Sequence, residues 1–404
     1  MKVRSALEDI KVLDLTWVAF GPWVTKYLAD HGAQVIKIES TTRPDIIRLS
    51  PPYKDGIAHP DRAGLFCVFN SSKYSLTLNL KTPKGLELIR RLVKWADIVV
   101  ENFGVGAMKN LGLDYQQLVK IKPDIIMVSM SILGQTGPLS SFVGFGPHGA
   151  ALSGVYALTG WPDGEPISNT LAWPDCVCPW YAVTAALAAL DYRRHTRKGQ
   201  FIDISQVETT IHGFAPAMLN YSANRQVTKR MGNRCAEASP HGIFRCQGME
   251  RWCAIAILRD EQWKTLCEVM DKKEWAGDTR FATLQGRKAN EDLLEKTIEA
   301  WTVQHTPEKV MELLQAKGIP AGVVQNAQDL FADPQLKHRN HFQFLKHPVM
   351  GKCSHPAWPA KLSLSPAQLH PAPTLGADNE YICTKILGYS DEEFIDLVNS
   401  GVLE

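Results

Sequence analysis

One aspartate, Asp175, closes the stretch Leu171-Ala172-Trp173-Pro174-Asp175, just ahead of an apolar run that reads as a helix over residues 179–195. A carboxylate in that position commonly caps its helix. It can also act as a covalent nucleophile. The helix dipole and the free N–H groups of the first turn would keep it ionised and help orient it, and a buried helix gives it a rigid mount. Four short segments could form a wall for a nucleotide-bearing ligand: residues 18–20 with Ala19 and Phe20, 78–81 with Leu78 and Lys81, 102–104 with Asn102, Phe103 and Gly104, and 131–134 with Ser131 and Gly134. Each follows an expected strand, and open parallel sheets bind ligands at the carboxyl ends of their strands. Lys81 stands beside Thr82, an expected helix start, and a cation next to free N–H groups suits phosphate. A solvated surface lysine at 81 and a turn residue at Asn102 are the ordinary alternatives.

Two other patterns carry less. Gly144-Phe145-Gly146-Pro147-His148-Gly149 spells G-x-G-x-x-G, with Asp163 about twenty residues on. No strand runs directly into it, and Pro147 removes a donor where a pyrophosphate would want one, so a nicotinamide or flavin site is not expected. Nine cysteines are scattered, an odd number in a large chain, and read as reduced cytosolic thiols. Cys176 and Cys178 form a C-x-C pair with no second pair at zinc spacing. Buried structural thiols are expected there, and no metal.

These residues need elements to hold them. Short apolar strands are expected over 11–16, 33–39, 74–80, 97–101, 124–129 and 200–204, with helical patterns over 23–31, 83–95, 115–120 and 179–195 between them. Gly199 lies just past the last helix, as a helix end would have it. Alternating strands and helices predict an α/β fold with a Rossmann-like parallel sheet. The pattern changes after residue 205. An antiparallel pair is expected over 242–245 and 252–257, then helices over 260–269, 287–304 and 306–317. Residues 318–324 turn into a strand, and a last helix follows the capping box that starts at Ser390. The expected organisation is a large domain from 1–204, a linker at 205–228, a small α+β domain at 229–325, and a return through 326–404 to the large domain.

The 404 residues are 45% hydrophobic and carry a net charge of +2. That balance gives no reason to expect nucleic acid or an anionic membrane as partner. The N-terminus lacks a signal-peptide pattern and no run of about 18 apolar residues occurs. A cytoplasmic protein without a membrane span is expected.

The stretches VLDLTWVAFGPWVTKYLADHGAQVIKIE, FNSSKYSLTLNLKTPKG, ADIVVENFGVGAMKNLGLDY, ALSGVYALTGWPDGEP and AALAALDYRRHTRKGQFIDIS, followed by KGIPAGVV, DPQL and PTLGADNEYI, occur in order along the chain. Together they resemble the class III CoA-transferases, which include formyl-CoA and carnitine CoA-transferases, and the related 2-methylacyl-CoA racemases. The resemblance implies that Asp175 is a covalent nucleophile, and that CoA lies against Ala19, Phe20, Ser40, residues 78–81 and 102–104, Asn110, and residues 131–134. It implies a large domain from both chain ends and a small one, joined as a ring that interlocks with a second ring. The partner would be a second copy or a similar, inactive chain. Acyl-CoA and a free carboxylic acid would be the substrates, with no permanently bound cofactor.

The chain departs from formyl-CoA enzymes at Ala19, Ser40 and Asn110, where those carry glutamine and arginines, so Arg43 or Arg48 is expected to supply the missing charge. The glycine-run loop is also absent from residues 231–241, which implies a different acyl specificity. The racemases carry a histidine at the position of Phe145, with His148 three places off, so transfer rather than two-base racemisation is implied. Six rings, Trp17, Phe20, Trp23, Phe145, Trp161 and Trp173, would stand near the acyl pocket. They suggest a bulky, aromatic or dicarboxylic acid as acceptor, with succinyl-CoA as donor; core packing is the other account of the same rings.

Overall fold

The computed structural model describes residues 4–168 and 172–404; residues 169–171, including Leu171 of the Asp175 stretch, and residues 1–3 lie outside the described residues. The chain divides into two compact units. One comprises Met1–Val155, Asn169–Arg225 and Lys337–Glu404; the other comprises Tyr156–Ser168 and Gln226–Leu336. Residues 156–168 thus group with the second unit, whereas the sequence pattern runs them on from the first.

The first unit is built on six parallel strands: β1 (Lys11–Leu15), β2 (Gln34–Glu39), β3 (Tyr74–Thr77), β4 (Ile98–Glu101), β5 (Ile126–Ser131) and β6 (Phe201–Ser205), in the spatial order β3-β2-β1-β4-β5-β6. That order reverses direction between β1 and β4, whose residues Val12 and Leu13 stand beside Ile98 and Val99. Alternate side chains of each strand face opposite ways. Val12, Val35, Ile98, Val100 and Val128 therefore join one core, and Leu13, Ile36, Leu76, Val99 and Met127 another. Both faces are covered, as a parallel sheet requires.

Helix α1 (Phe20–Asp30) packs on the first face, and α2 (Pro83–Trp95) on the second through Leu88, Ile89, Leu92 and Val93. Thr82 starts α2 as its sequence predicts, its Oγ1 accepting from Gly85 N at 3.0 Å, with Pro83 in the first turn where no N–H is needed. Helix α3 (Tyr115–Ile121) leads into β5, and α4 (Gly146–Leu152) follows it.

The apolar helix, α5, runs from Trp173 to Thr196 and so begins six residues before its apolar run. Two prolines mask that start. Pro174 fits the first turn, while Pro179 lies inside the helix and withholds the N–H that would pair with Asp175 O. At the far end the left-handed cap is Arg197, at φ 61°, rather than Gly199. Cys178, Ala182, Ala186, Ala189 and Leu190 form the buried stripe of α5, small enough for it to lie close on the sheet. Helices α6 (Gln206–Ile211) and α7 (Ala215–Asn224) follow β6, where the sequence predicts a linker. No residue of α7 is buried.

The edge strand β3 is capped by residues far along the chain. Ser75 N donates to Asp378 Oδ2 at 2.8 Å and Thr77 N to Asn379 Oδ1 at 2.9 Å. Its free donors are thereby paired, as edge strands need.

The second unit carries an antiparallel sheet of β7 (His241–Arg245), β8 (Trp252–Ala256) and β9 (Ala321–Val323), in that order. Its helices Asp260–Val269, Glu291–Thr302 and Pro307–Gln315 pack on a core that includes Trp263, Phe281, Leu294 and Ile298. Among the described residues no helix is long and apolar enough to cross a membrane.

Candidate active site

At the switch point the loop after β1 meets the loop after β4. Asn102 joins them: its Oδ1 accepts from Trp17 N at 2.7 Å and its Nδ2 donates to Trp17 O at 2.9 Å. Both amide ends are occupied by the backbone of one residue, so Asn102 acts as a clamp. The next residue, Val18, takes φ 68°, a left-handed conformation that strains a β-branched side chain by about 1–3 kcal/mol. Asp45 Oδ1 holds it there, accepting from Val18 N at 2.9 Å.

Beneath this loop lies a buried ionic layer. Lys37 Nζ donates to Thr16 O at 2.7 Å and pairs with Asp45 at 3.1 Å, while Lys73 Nζ pairs with Asp14 at 2.9 Å. Burial opposes the charge on Asp14, but Lys73 and Lys37 outweigh it and hold the carboxyl below the usual range. The loop therefore rests on fixed charges.

Above it opens a cavity of about 360 Å³. Trp17, Phe20, Phe103, Phe142 and Phe145 bring aromatic rings to its wall; Asn102, Ser131, Ser141, Asp175 and Gln206 bring polar side chains. Asp175 is no N-cap. The cap position is Ala172, and Asp175 lies in the first turn of α5 with its own N–H bonded to Ala172 O at 2.8 Å. Its Oδ1 accepts from Gln206 Nε2 at 2.6 Å. Oδ2 faces Gly146: a Cβ at that glycine would stand 2.6 Å from Oδ2 and 2.5 Å from Ala172 Cβ. Burial pushes the Asp175 carboxyl up to about 6, against the smaller opposing effect of the Gln206 hydrogen bond. The helix start was expected to keep this acid readily ionised; burial at this site outweighs that effect.

The G-x-G-x-x-G glycines find their use here. Gly146 clears the Asp175 carboxylate and Gly149 lies against Pro174. His148 turns back on its own helix, Nδ1 accepting from Phe145 N at 3.1 Å. Phe145 is 59% exposed and lines the cavity.

Of the residues singled out from sequence, Phe20, Asn102, Phe103, Gly104, Ser131 and Asp175 share this cavity. Ala19 is the N-cap of α1 and does not line the cavity, and Gly134 is buried at φ 85° near Asp203. Leu78 is buried in the core and Lys81 is exposed, both past β3, two strands from β1. Ser40 Oγ donates to Glu404 Oε2 at 2.6 Å. Arg48 cannot supply a free charge: it is buried, paired with Glu39 and Asp61 at 2.8 Å each. Arg43 is exposed, with its guanidinium over the Trp17 ring.

Of the six rings, Trp17, Phe20 and Phe145 line the cavity. Trp23 packs on Phe69 and Trp180, Trp161 belongs to the second unit, and Trp173 lies exposed in the first turn of α5. Cys178 is buried, and its thiol is pushed up to about 12.

Gln206 was not singled out from sequence. The rule that pointed to the residues after β1, β3, β4 and β5 points equally to the residue after β6, which is Gln206.

Residues 7–379 match CoA-transferase family III, and the chain belongs to that family. It is 30% identical over 400 residues to the human succinyl-CoA:glutarate CoA-transferase, covering 98% of this chain and 90% of that one. It is 31% identical over 398 residues to the succinyl-CoA–D-citramalate CoA-transferase of Chloroflexus aurantiacus, covering 98% of each. A crystal structure of a CAIB/BAIF family protein from Brucella suis superposes with a TM-score of 0.87 at 33% identity, covering 95% of this chain and 99% of that one. The protein is a family III CoA-transferase.

Proposed function

We propose that Asp175 carries the transfer covalently. The donor acyl-CoA lies along the carboxyl edge of the sheet, its thioester at Asp175. Oδ2 attacks the thioester carbonyl, the C–S bond breaks, and CoA leaves as thiolate, giving a mixed anhydride. The thiolate attacks Asp175 Cγ; the donor acid departs as carboxylate, leaving an aspartyl-CoA thioester. The acceptor carboxylate then reverses the two steps. No net proton is taken up, and positioning and desolvation must supply much of the acceleration of a weak nucleophile. The observation that carries this reading is a carboxylate held in a ligand-sized cavity at the switch point, where parallel sheets bind nucleotide ligands.

In this proposal the pantetheine arm passes Phe20, Asn102, Phe103, Gly104 and Ser131, and the ADP end reaches Lys81, while Ala19, Gly134 and the buried Leu78 support the surface from behind. Strands lie about 4.8 Å apart, so β3 is roughly 10 Å from β1, within reach of an extended CoA. Arg43 beside Trp17 adds a cation on the way. Succinyl-CoA as donor and a dicarboxylic acceptor are supported by the names of the relatives. Racemisation at Cα would need a second base, and the site lacks a histidine at Phe145 while His148 Nδ1 is engaged.

We also place the protein in the cytoplasm as an interlocked homodimer. Support for the dimer is α7, which leaves Met218, Leu219 and Tyr221 exposed at 53%, 65% and 50%. A similar inactive chain in place of the second copy would co-purify with it.

Intact mass measured after mixing with succinyl-CoA and a panel of other donors tests the mechanism. The expected result is a CoA or acyl adduct on the Asp175 peptide, removed by hydroxylamine and absent from Asp175→Ala. Normal turnover by Asp175→Ala would overturn it.

A further inference from the structure

The reacting carboxylate has a single side-chain partner among the described residues, and it is an amide rather than a cation. Gln206 is 1% exposed, at the first position of α6, and its Nε2 lies 2.6 Å from Asp175 Oδ1. The backbone of the residue is held from below, since Thr209 and Thr210 both donate to its main-chain carbonyl oxygen, at 2.9 and 2.7 Å. Its amide cannot be turned over without setting Oε1 against an ionised oxygen. Oε1 has no partner. A buried amide left half-satisfied lowers stability, and an apolar side chain could fill the same space without that penalty. Something other than packing holds it there.

We propose that Gln206 is a catalytic residue that donates to the oxyanion formed on Asp175 itself. The inference rests on the covalent mechanism above. When Oδ2 has become the bridging oxygen of the mixed anhydride, Oδ1 is the aspartyl carbonyl oxygen. The CoA thiolate attacks Cγ, the Cγ–S bond forms, and the carbonyl electron pair moves onto Oδ1. Gln206 Nε2–H already points at that atom, so no reorganisation is needed as the charge develops. The pair then returns, the Cγ–Oδ2 bond breaks, and the donor acid leaves as a carboxylate carrying Oδ2. No proton enters or leaves. The acceptor carboxylate attacks the thioester at the same Cγ, and the same donor serves again.

Gln206 also holds the resting carboxylate ionised against its burial. Among the described residues no other group offsets that burial. On its own helix Asp175 faces the thiols of Cys176 and Cys178, both raised by burial. From α4, His148 is turned to Phe145 N, and from α6, Thr209 and Thr210 are turned to Gln206 O.

The test compares wild type with Gln206→Met, which keeps the volume and loses the donor, and with Gln206→Glu. Rapid-quench intact mass follows the aspartyl-CoA thioester with succinyl-CoA as probe. In Gln206→Met the thioester should form about 10²–10³-fold more slowly, with KM for the acyl-CoA changed less than about threefold and the acid limb of kcat/KM moved above its wild-type position. Gln206→Glu can donate only when protonated, so its activity should fall as pH rises where that of wild type climbs. If wild type forms the adduct while Gln206→Met forms it at the same rate with an unmoved acid limb, this inference fails and the covalent reading stands. Should Gln206→Met not fold, a wild-type-shaped pH profile in Gln206→Glu would overturn the inference equally. If wild type forms no adduct with any donor, the covalent reading fails and this inference with it.

Discussion

A carboxyl raised to about 6 by burial has two consequences for Asp175. Transfer needs the ionised form, so kcat/KM should climb with pH and level off above about 6, which a pH–rate profile with a saturating acceptor will show. The second concerns stability. The folded state holds the Asp175 proton more tightly than the unfolded chain does, so the penalty is absent below about pH 4 and complete above about pH 6. At pH 7 a shift of this size disfavours the folded state by about 2–3 kcal/mol. Asp175→Asn should abolish transfer yet unfold at higher urea than wild type at pH 7, with the gain shrinking towards pH 4. Gly146→Ala should cost activity more than a hundredfold and about 1–3 kcal/mol of stability in urea titrations, because the new methyl would meet Oδ2 and Ala172. Asp175 was singled out from its place ahead of an apolar helix, and it lines the cavity. Its partner was not. The Asp175–Gln206 contact joins residues 31 apart, and it exists only because β6 lies beside β5 and delivers α6 to the first turn of α5.

At the scale of elements, most strands were legible within a residue or two because each alternates or runs apolar between turn residues, as β2 and β4 do. The start of α5 was hidden by prolines that a helix accommodates only in its first turn or at the loss of a bond. The strain at Val18 was hidden more deeply. Nothing in Trp17-Val18-Ala19 announces a left-handed valine; Asn102 and Asp45 impose it from the loops after β4 and β2. If the clamp sets the wall of the cavity, Asn102→Ala should release it. We expect a loss of about 1–3 kcal/mol from the two hydrogen bonds and a KM for acyl-CoA raised about tenfold, with kcat far less affected. Urea unfolding and steady-state kinetics on the same preparation separate these effects.

At the scale of the whole molecule, the two units draw on the chain unequally, and the first needs three separate stretches of it. A helix of ten residues is marginal alone in water, and α7 buries none of its own. Sedimentation velocity should therefore find a dimer, and Leu219→Asp should shift it towards monomer or aggregate; a wild-type monomer at micromolar concentration would remove the argument from α7.

The capping of β3 has a bearing on how the chain is made. Its two edge donors wait for Asp378 and Asn379, which lie 303 and 302 residues downstream. At about 5–20 residues per second, a ribosome needs on the order of 15–60 s to supply them. For that interval the nascent sheet presents an open strand edge, the kind of surface on which chains join one another. The burden of keeping this enzyme soluble therefore falls on the minute of its synthesis, and a cell short of chaperones should lose it there, as newborn aggregate, while protein already finished persists.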